Sequence, residues 1–180
     1  AVQGIDSKMV AVLGLDRALV EQAVSEGSKV GLVQAANYNC PGQIVIGGEV
    51  AAVDKAAEVA LELKAKRVVP LNVSGPFHTS LLEPASKKLA EKLNQVSFGN
   101  MNIPVVFNTT AKELQPDETI SGLLTKQIMS SVYLEDSIRS MIDRGIDTFL
   151  EIGPGKVLSG FIKKISKDVS IYQVEDVRSE

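Results

Sequence analysis

The feature that most constrains the fold of this chain is a hairpin pattern that lies between two helical patterns. Residues 30–39 and 43–49 are both strand-like, and Cys40-Pro41-Gly42 joins them with a Pro-Gly pair that suits the centre of a type II turn. A strand and a helix flank the hairpin on each side: strand 8–15, a helix after Asp16, helix 50–65 and strand 67–73. The order strand, helix, strand, strand, helix, strand predicts a ferredoxin-like unit within residues 6–72.

The second half of the chain has a different pattern, in which helices alternate with short strands. The expected elements are a helix at 82–96 with Pro84 in its first turn, a strand at 104–108, helices at 119–130 and 134–144, a buried strand at 148–153, a helix at 156–166 and a strand at 170–174. This alternation indicates a parallel sheet covered by helices, so the predicted fold class is α/β. Because no repeat or low-complexity linker separates the two halves, we expect them to pack closely.

Composition excludes several functional classes. Hydrophobic residues make up 44% of the 180 residues, but no apolar run approaches the roughly 18 residues of a membrane span. The 19 basic and 22 acidic residues give a net charge of −3, and there is no tryptophan, so nucleic-acid binding is not expected. The start of the sequence has no signal-peptide pattern and Cys40 has no thiol partner, which together predict a cytoplasmic protein. We also expect a monomer.

The single histidine, His78, lies where α/β proteins keep reactive groups. The apolar run 67–73 is predicted to be a buried strand, Ser74-Gly75-Pro76 ends it, and His78 follows just before a helix. One interpretation is a histidine that merely caps or packs against the connection. The other is a proton-transferring imidazole, and the fixed backbone of Gly75-Pro76 favours it, because a passive loop needs less constraint.

Two further motifs allow both a structural and a chemical interpretation. The turn Gly153-Pro154-Gly155 could hold a phosphate at a helix N-terminus, but it has neither a Walker pattern nor GxGxxG around it, which favours a structural turn. Cys40 could be a nucleophile, but it lies within the hairpin and has no second thiol, which favours a structural thiol. His78 and Cys40 have no recognisable metal-ligand spacing, so no metal site is predicted.

Polar residues near the hairpin and the strand 67–73 form the remaining candidates. Lys66 and Arg67 open that strand, either as a solvated strand end or as an anion-binding pair. The amide side chains beside the turn serve the turn alone or offer hydrogen bonds to a polar ligand; they are Asn37, Asn39 and Gln43.

Four segments together resemble one family: 9–15, 37–48, 151–158 and Val73-Ser74-Gly75-Pro76-Phe77-His78. In these segments the chain resembles the malonyl-CoA:acyl-carrier-protein transacylases, and the resemblance spans the whole chain. It implies that residues 1–72 form a ferredoxin-like small subdomain. It also implies that residues 73–180 form the C-terminal part of an α/β-hydrolase-like large subdomain.

The resemblance implies an activity and a set of site residues. The activity is transfer of a malonyl group from coenzyme A to the pantetheine thiol of acyl carrier protein in fatty acid biosynthesis, by a Ser-His ping-pong mechanism. Coenzyme A enters as a thioester substrate, and no cofactor is expected. His78 would be the base, oriented by the main-chain carbonyl of Gln127, and Phe77 would favour malonyl over methylmalonyl units. The residues implied to hold coenzyme A or the carrier arm are Asn37, Asn39, Gln43, Lys66 and Arg67.

The chain departs from the family pattern in one respect. It contains no GxSxG, whereas the family carries its nucleophilic serine in a GHSxG elbow. We therefore expect the chain to correspond to the C-terminal part of the enzyme and to be inactive by itself. The alternative function is a non-catalytic ferredoxin-like module that binds a partner. A GHSxG segment upstream on the same polypeptide would favour the enzyme.

Overall fold

The structure, a computed structural model, describes residues 6–175 and shows a mixed α/β fold. Within these residues the strands are β1 (Ser7–Leu13), β2 (Val33–Cys40), β3 (Gln43–Glu49), β4 (Arg67–Pro70), β5 (Val132–Tyr133), β6 (Thr148–Ile152) and β7 (Ser170–Val174). The α-helices are α1 (Arg17–Gly27), α2 (Val50–Glu62), α3 (Glu83–Leu93), α4 (Ile120–Gln127), α5 (Leu134–Asp143) and α6 (Val157–Ile165). None of these helices has the length and apolar character needed to cross a membrane. The ends of the two predicted subdomains, 1–5 and 176–180, lie outside the described residues.

Five strands form a mixed sheet in the order β4-β1-β3-β2-β5. β1 pairs antiparallel with β3 and β4, β2 pairs antiparallel with β3, and only the β2–β5 pair is parallel. The predicted hairpin is observed, with Cys40 opposite Gln43 across the turn. Gly42 has a φ of +71°, which the third position of a type II turn requires and a glycine adopts without strain.

Different elements pack against the two faces of this sheet. Val10, Val12 and Ile46 point to the face covered by α1 and α2, where they form the main core with small side chains of the helices. The two helices approach closely, because a side chain at Gly27 would meet the Ala52 carbonyl oxygen at 2.6 Å. On the opposite face, which we call the second face, lies a smaller apolar cluster of Met9, Ala11, Ala36 and Val45, with Leu71 packed against it.

A separate two-stranded sheet pairs β6 and β7 in parallel. Its core joins side chains of α5, β6 and α6 to the end of β2, through contacts among Cys40, Ile138, Phe149 and Ile162. The two halves of the chain therefore pack on each other, as the absence of a linker predicts.

Two strands predicted to be buried are not buried. β4 ends at Pro70 rather than at residue 73, and most of its side chains are exposed. In β6 only Phe149 is buried, and Ile152 is 76% exposed. Each strand is an edge strand among the described residues, with a single paired neighbour. An apolar run shows that a strand can be buried, but it does not show what covers it.

The predicted strand 104–108 is also wrong. This segment makes a single antiparallel bridge between Phe107 and Lys112 and no ladder. The Phe107 ring is buried, whereas Ile103 and Val105 are exposed. A short apolar run needs a neighbouring strand to become a ladder, and this segment has none within residues 6–175.

Candidate active site

The loop that carries His78 is fastened to the second face of the sheet. Thr79 is fully buried, and its hydroxyl donates to the Pro76 carbonyl at 2.6 Å. The Thr79 methyl group lies over Gly47 of β3, where an added Cβ would meet it at 3.4 Å. The N–H of Ser80 donates to the side-chain oxygen of Gln34 on β2 at 2.7 Å. These contacts leave the loop little freedom on either side of His78.

His78 itself adopts an unusual backbone conformation. Its φ is +61°, in the left-handed region that costs a non-glycine residue about 1–3 kcal/mol. The backbone N–H donates to the Ile128 carbonyl at 3.2 Å, which helps to hold this conformation. Strained residues of this kind concentrate at functional sites, so the conformation favours the chemical interpretation of His78 over a passive cap.

The imidazole ring is oriented by the end of α4. Nδ1 of His78 lies 3.0 Å from the main-chain oxygen of Gln127, the last residue of that helix. Because a carbonyl oxygen can only accept, Nδ1 must carry the hydrogen, and Nε2 is left with a free lone pair. The C-terminal end of a helix is its negative end, and it stabilises a nearby positive charge by about 0.3–1 kcal/mol. The contact therefore suits an imidazole that gains a proton at Nε2.

Phe77 directly precedes His78 in the chain. It follows Pro76, which is buried, and its N–H donates to the Gly75 carbonyl at 2.9 Å. The ring is nevertheless 43% exposed. A fixed backbone with an exposed aromatic ring next to His78 is suited to contact a ligand.

Gln43 and Arg67 lie farther along the same sheet. Leu13 of β1 is opposite Gln43 on one side and Arg67 on the other, so the two side chains share the second face, about 10 Å apart. The row formed by Gln43, Leu13 and Arg67 lies four residues along β3 from Gly47. It is therefore about 13 Å from the point where Thr79 contacts the sheet. Gln43 accepts a hydrogen bond from Nζ of Lys164 at 3.2 Å.

The other predicted binding residues have less direct positions. Asn37 is opposite Val45 and so belongs to the second face, whereas Asn39 lies at an irregularity of β2 next to the turn. Lys66 is exposed, and the base of its side chain lies over Gly14. A hydrogen bond joins His78 to Gln127, whereas Asn37, Gln43 and Arg67 are spread over the sheet.

Cys40 is a structural thiol in this fold. It is 1% exposed and packs in the core between β2, α5 and α6. Burial raises the pKa of the thiol, because the thiolate would lose its hydration. The structure therefore supports the interpretation of Cys40 as a packing residue.

The turn Gly153-Pro154-Gly155 is also structural. The first turn of α6 is already occupied by the Glu151 carboxylate, which accepts from the N–H groups of Leu158 at 3.1 Å and Ser159 at 2.8 Å. A phosphate would have to displace this carboxylate. No local pattern indicates this cap, because Glu151 belongs to the preceding strand rather than to the N-cap position.

Glu151 gives a prediction about stability. The contacts from Ser159 and Leu158 lower the pKa of Glu151. The carboxylate therefore stabilises the fold above its unfolded-state pKa, and this stabilisation is lost as the pH falls through the lowered folded-state pKa. We expect Glu151→Gln to lower the melting temperature at pH 7, and the difference from wild type to shrink in acid. Thermal unfolding at both pH values measures this. Glu91→Gln, at an exposed carboxylate of α3, is the control, and an equal loss there would contradict the prediction.

Comparisons with known proteins agree with this fold. No family model matches the chain. The malonyl CoA-acyl carrier protein transacylase of Bacillus subtilis (strain 168) is 43% identical over 177 residues, which are 98% of this chain and 56% of the relative. The crystal structure of malonyl CoA-acyl carrier protein transacylase from Clostridium perfringens superimposes with a TM-score of 0.92 at 45% identity, covering 97% of this chain and 54% of that chain.

A third match is a malonyl-transacylase in complex with its type II PKS acyl-carrier protein. It has a TM-score of 0.91 and 37% identity, and it covers 96% of this chain and 56% of that chain. The mixed α/β fold is thus shared with part of these solved structures. The chain is homologous to part of the malonyl CoA-acyl carrier protein transacylases, and it spans about half the length of the curated relatives it matches.

Proposed function

We propose that this chain provides the histidine-bearing part of an S-malonyltransferase that moves a malonyl group from coenzyme A to the pantetheine thiol of acyl carrier protein in fatty acid biosynthesis. The observation that carries the proposal is the contact between Nδ1 of His78 and the Gln127 carbonyl, at 3.0 Å. It leaves Nε2 free to accept a proton. The homology with malonyl CoA-acyl carrier protein transacylases supports the choice of substrate.

In the first half of the proposed reaction, His78 activates a serine that lies outside this chain. Nε2 accepts the serine hydroxyl proton while the oxygen attacks the malonyl thioester carbon. The resulting imidazolium is stabilised by the Gln127 carbonyl and the negative end of α4. As the carbon–sulfur bond breaks, His78 returns the proton to the coenzyme A sulfur. The products are free coenzyme A and a malonyl ester on the serine.

The second half reverses these roles with a different thiol. The pantetheine thiol of the carrier protein gives its proton to Nε2 of His78, and its sulfur attacks the malonyl ester. The serine oxygen leaves and takes the proton back from the imidazolium. A single base therefore serves both halves, which requires a ring that stays in one orientation throughout. The hydrogen bond to the Gln127 carbonyl supplies that orientation.

The remaining site residues are proposed to hold the coenzyme A and the carrier arm. Gln43 and Arg67 share one face of the sheet with the point where the His78 loop rests, about 13 Å along β3. Lys66 and Arg67 would add positive charge for the phosphates of the arm, and an amide is available on Asn37 and on Asn39. Phe77 would narrow the space beside the malonyl α-carbon.

We also propose a division of the chain into two subdomains. The order β4-β1-β3-β2, with both helices on one face, supports a ferredoxin-like small subdomain over 1–72. The parallel pair β6–β7, with α6 between its strands, supports a C-terminal part of an α/β-hydrolase-like large subdomain over 73–180. The side chain of Ile152 is highly exposed in this pair, although parallel sheets are normally covered on both faces.

The experiment that tests the proposal is a transfer assay with the full-length polypeptide that carries this segment. We expect malonyl-CoA and the pantetheine-bearing carrier protein to give a carrier whose mass has increased by one malonyl group. A carrier protein without pantetheine is the control and should not gain mass. The 180-residue chain by itself should also leave the mass unchanged, because it contains no GxSxG serine. A folded full-length protein that binds the carrier without malonylating it would instead support the partner-binding module.

A further inference from the structure

Four side chains join the first half of the chain to the segment that follows α4. The guanidinium of Arg17, at the start of α1, donates from Nη1 to both carboxylate oxygens of Asp136 on α5, at 3.0 and 3.1 Å. Its Cζ lies 4.0 Å from the centre of the Tyr38 ring and 5.6 Å from that of Tyr133. The two rings are stacked with their centres 5.1 Å apart and their planes within 7°. We call these four residues the Arg17 cluster.

The Arg17 cluster is more than a surface ion pair. Tyr38 is buried in β2, and burial, together with the Glu21 carboxylate, raises the pKa of Tyr38 to about 12, so its phenol remains protonated. The phenol donates to Oε1 of Glu21 at 3.2 Å, and the same oxygen accepts from Nε of Arg17. Arg17 is therefore fixed by two carboxylates and two aromatic rings. Isolated surface ion pairs have no such constraints on their geometry.

Two members of the Arg17 cluster, Tyr133 and Asp136, lie close in the chain to the carbonyl that orients His78. Tyr133 belongs to β5, which begins five residues after Gln127 and pairs in parallel with β2 opposite Asn37 and Tyr38. The Ser131 hydroxyl donates to the Ala35 carbonyl of β2 at 2.6 Å. The position of β5 on β2 therefore restricts where the end of α4 can lie, because only the short segment 128–131 connects them.

β5 cannot set its own position by backbone pairing. It has two residues, and a strand this short offers few ladder hydrogen bonds to distinguish one register from the next. A one-residue slip would turn the Tyr133 ring away from Tyr38 and would move Gln127 relative to β2. Side-chain contacts therefore help to select the register. The Ser131 hydroxyl provides one of them, and the Arg17 cluster provides others on the face of the sheet opposite to the His78 loop.

We propose that Arg17, Tyr38, Tyr133 and Asp136 are positioning residues that fix β5 on β2 and so keep the Gln127 carbonyl on Nδ1 of His78. The four residues act on the His78 imidazole ring indirectly. They act on it through the segment 128–131, which carries both the Ile128 carbonyl that accepts from the His78 N–H and the Ser131 hydroxyl. Their importance for acyl transfer rests on the proposed function, whereas their effect on the ring orientation does not.

The test measures the tautomer of His78 by nuclear magnetic resonance of its ring nitrogens. His78 is the only histidine of the 180-residue chain, so the signals need no assignment. At alkaline pH, where imidazole is neutral, we expect the wild-type chain to carry its hydrogen on Nδ1. In Arg17→Met and Tyr133→Leu, we expect the population with hydrogen on Nε2 to rise to at least half. Asp136→Asn, at a half-exposed carboxylate, should give a smaller shift in the same direction.

Two control variants separate positioning from general loss of stability. Arg139→Met removes an arginine whose partner, Glu135, lies on the same helix at 2.7 Å, so it breaks an ion pair that does not join the two halves. Tyr133→Phe keeps the stacked ring. Both should keep the wild-type tautomer, and thermal unfolding identifies which variants are folded.

The proposal is overturned if the folded variants among Arg17→Met, Tyr133→Leu and Asp136→Asn keep the wild-type tautomer, or if Arg139→Met shifts it equally. Because the Asp136 side chain is half-exposed, we expect Asp136→Asn to remain folded even if the other variants do not. If the tautomer shifts as expected but the full-length protein transfers no malonyl group, the positioning role stands and the proposed function fails.

Discussion

Replacing His78 by alanine is expected to lower malonyl transfer by the full-length protein about 10²- to 10⁴-fold, the usual contribution of a general acid-base group. The physical reason is that Nε2 is the free lone pair left by the bond from Nδ1 to the Gln127 carbonyl. Without it, neither the serine hydroxyl nor the carrier thiol of the proposed reaction has a positioned base. The measurement is kcat/KM for transfer from malonyl-CoA to the carrier protein.

The backbone at His78 requires a second variant. Because φ is +61°, alanine at this position is strained, and a lower rate could reflect a displaced loop. Asparagine adopts the left-handed region more readily than most residues, so His78→Asn removes the imidazole and keeps the backbone. We expect both variants to lose activity to the same extent, with the asparagine variant the more stable of the two. A rate within a few-fold of wild type for His78→Asn would remove His78 from the mechanism.

The sequence predicts the hairpin and the helices well, because each of them has a local signal. The turn Cys40-Pro41-Gly42 fixes the hairpin, because a Pro-Gly pair has few other conformations to adopt, and the helices on each side follow from their apolar periodicity. Once the order of the first six elements is known, few topologies remain, and the observed sheet order is one of them. The helix boundaries of α3 to α6 follow in the same way from periodicity.

Burial could not be predicted in the same way. The runs 67–73 and 148–153 are apolar enough for strands covered on both faces, yet β4 and β6 are exposed edge strands among the described residues. What covers a strand depends on elements distant in the chain, and a local pattern carries no information about them. The segment 104–108 failed for the same reason, because a ladder needs a partner strand.

In the site, the sequence indicates the functional side chain but not the main-chain group that orients it. His78 stands out in the sequence as the only histidine, and Gly75-Pro76 marks its loop. The acceptor for its Nδ1 is a main-chain carbonyl, which any residue supplies, so only the family resemblance indicated Gln127. Neither the Glu151 cap nor the contact between Arg17 and Asp136 has a local signal, since the latter pair is separated by 119 residues.

Phe77 gives the second prediction with a large effect, on substrate selectivity. We expect Phe77→Ala to raise the ratio of kcat/KM for methylmalonyl-CoA to that for malonyl-CoA by about 10- to 200-fold, the range that corresponds to about 1–3 kcal/mol of discrimination in a pocket. The exposed ring next to His78 would crowd a methyl group on the α-carbon, because Pro76 and the bond from the Phe77 N–H to the Gly75 carbonyl leave its backbone no room to withdraw.

The control for this change is Phe98→Ala. Phe98 has nearly the same exposure, 41% against 43%, but it lies beyond α3 and has no place in the proposed site. Its loss should leave the ratio of the two specificity constants unchanged. If Phe77→Ala lowers both constants together and the ratio does not move, the ring serves only to support the loop that carries His78, and the selectivity must come from other residues. If the ratio rises in Phe77→Ala alone, the ring contacts the α-carbon of the substrate, and the exposed face beside His78 is the acyl-binding side of the site.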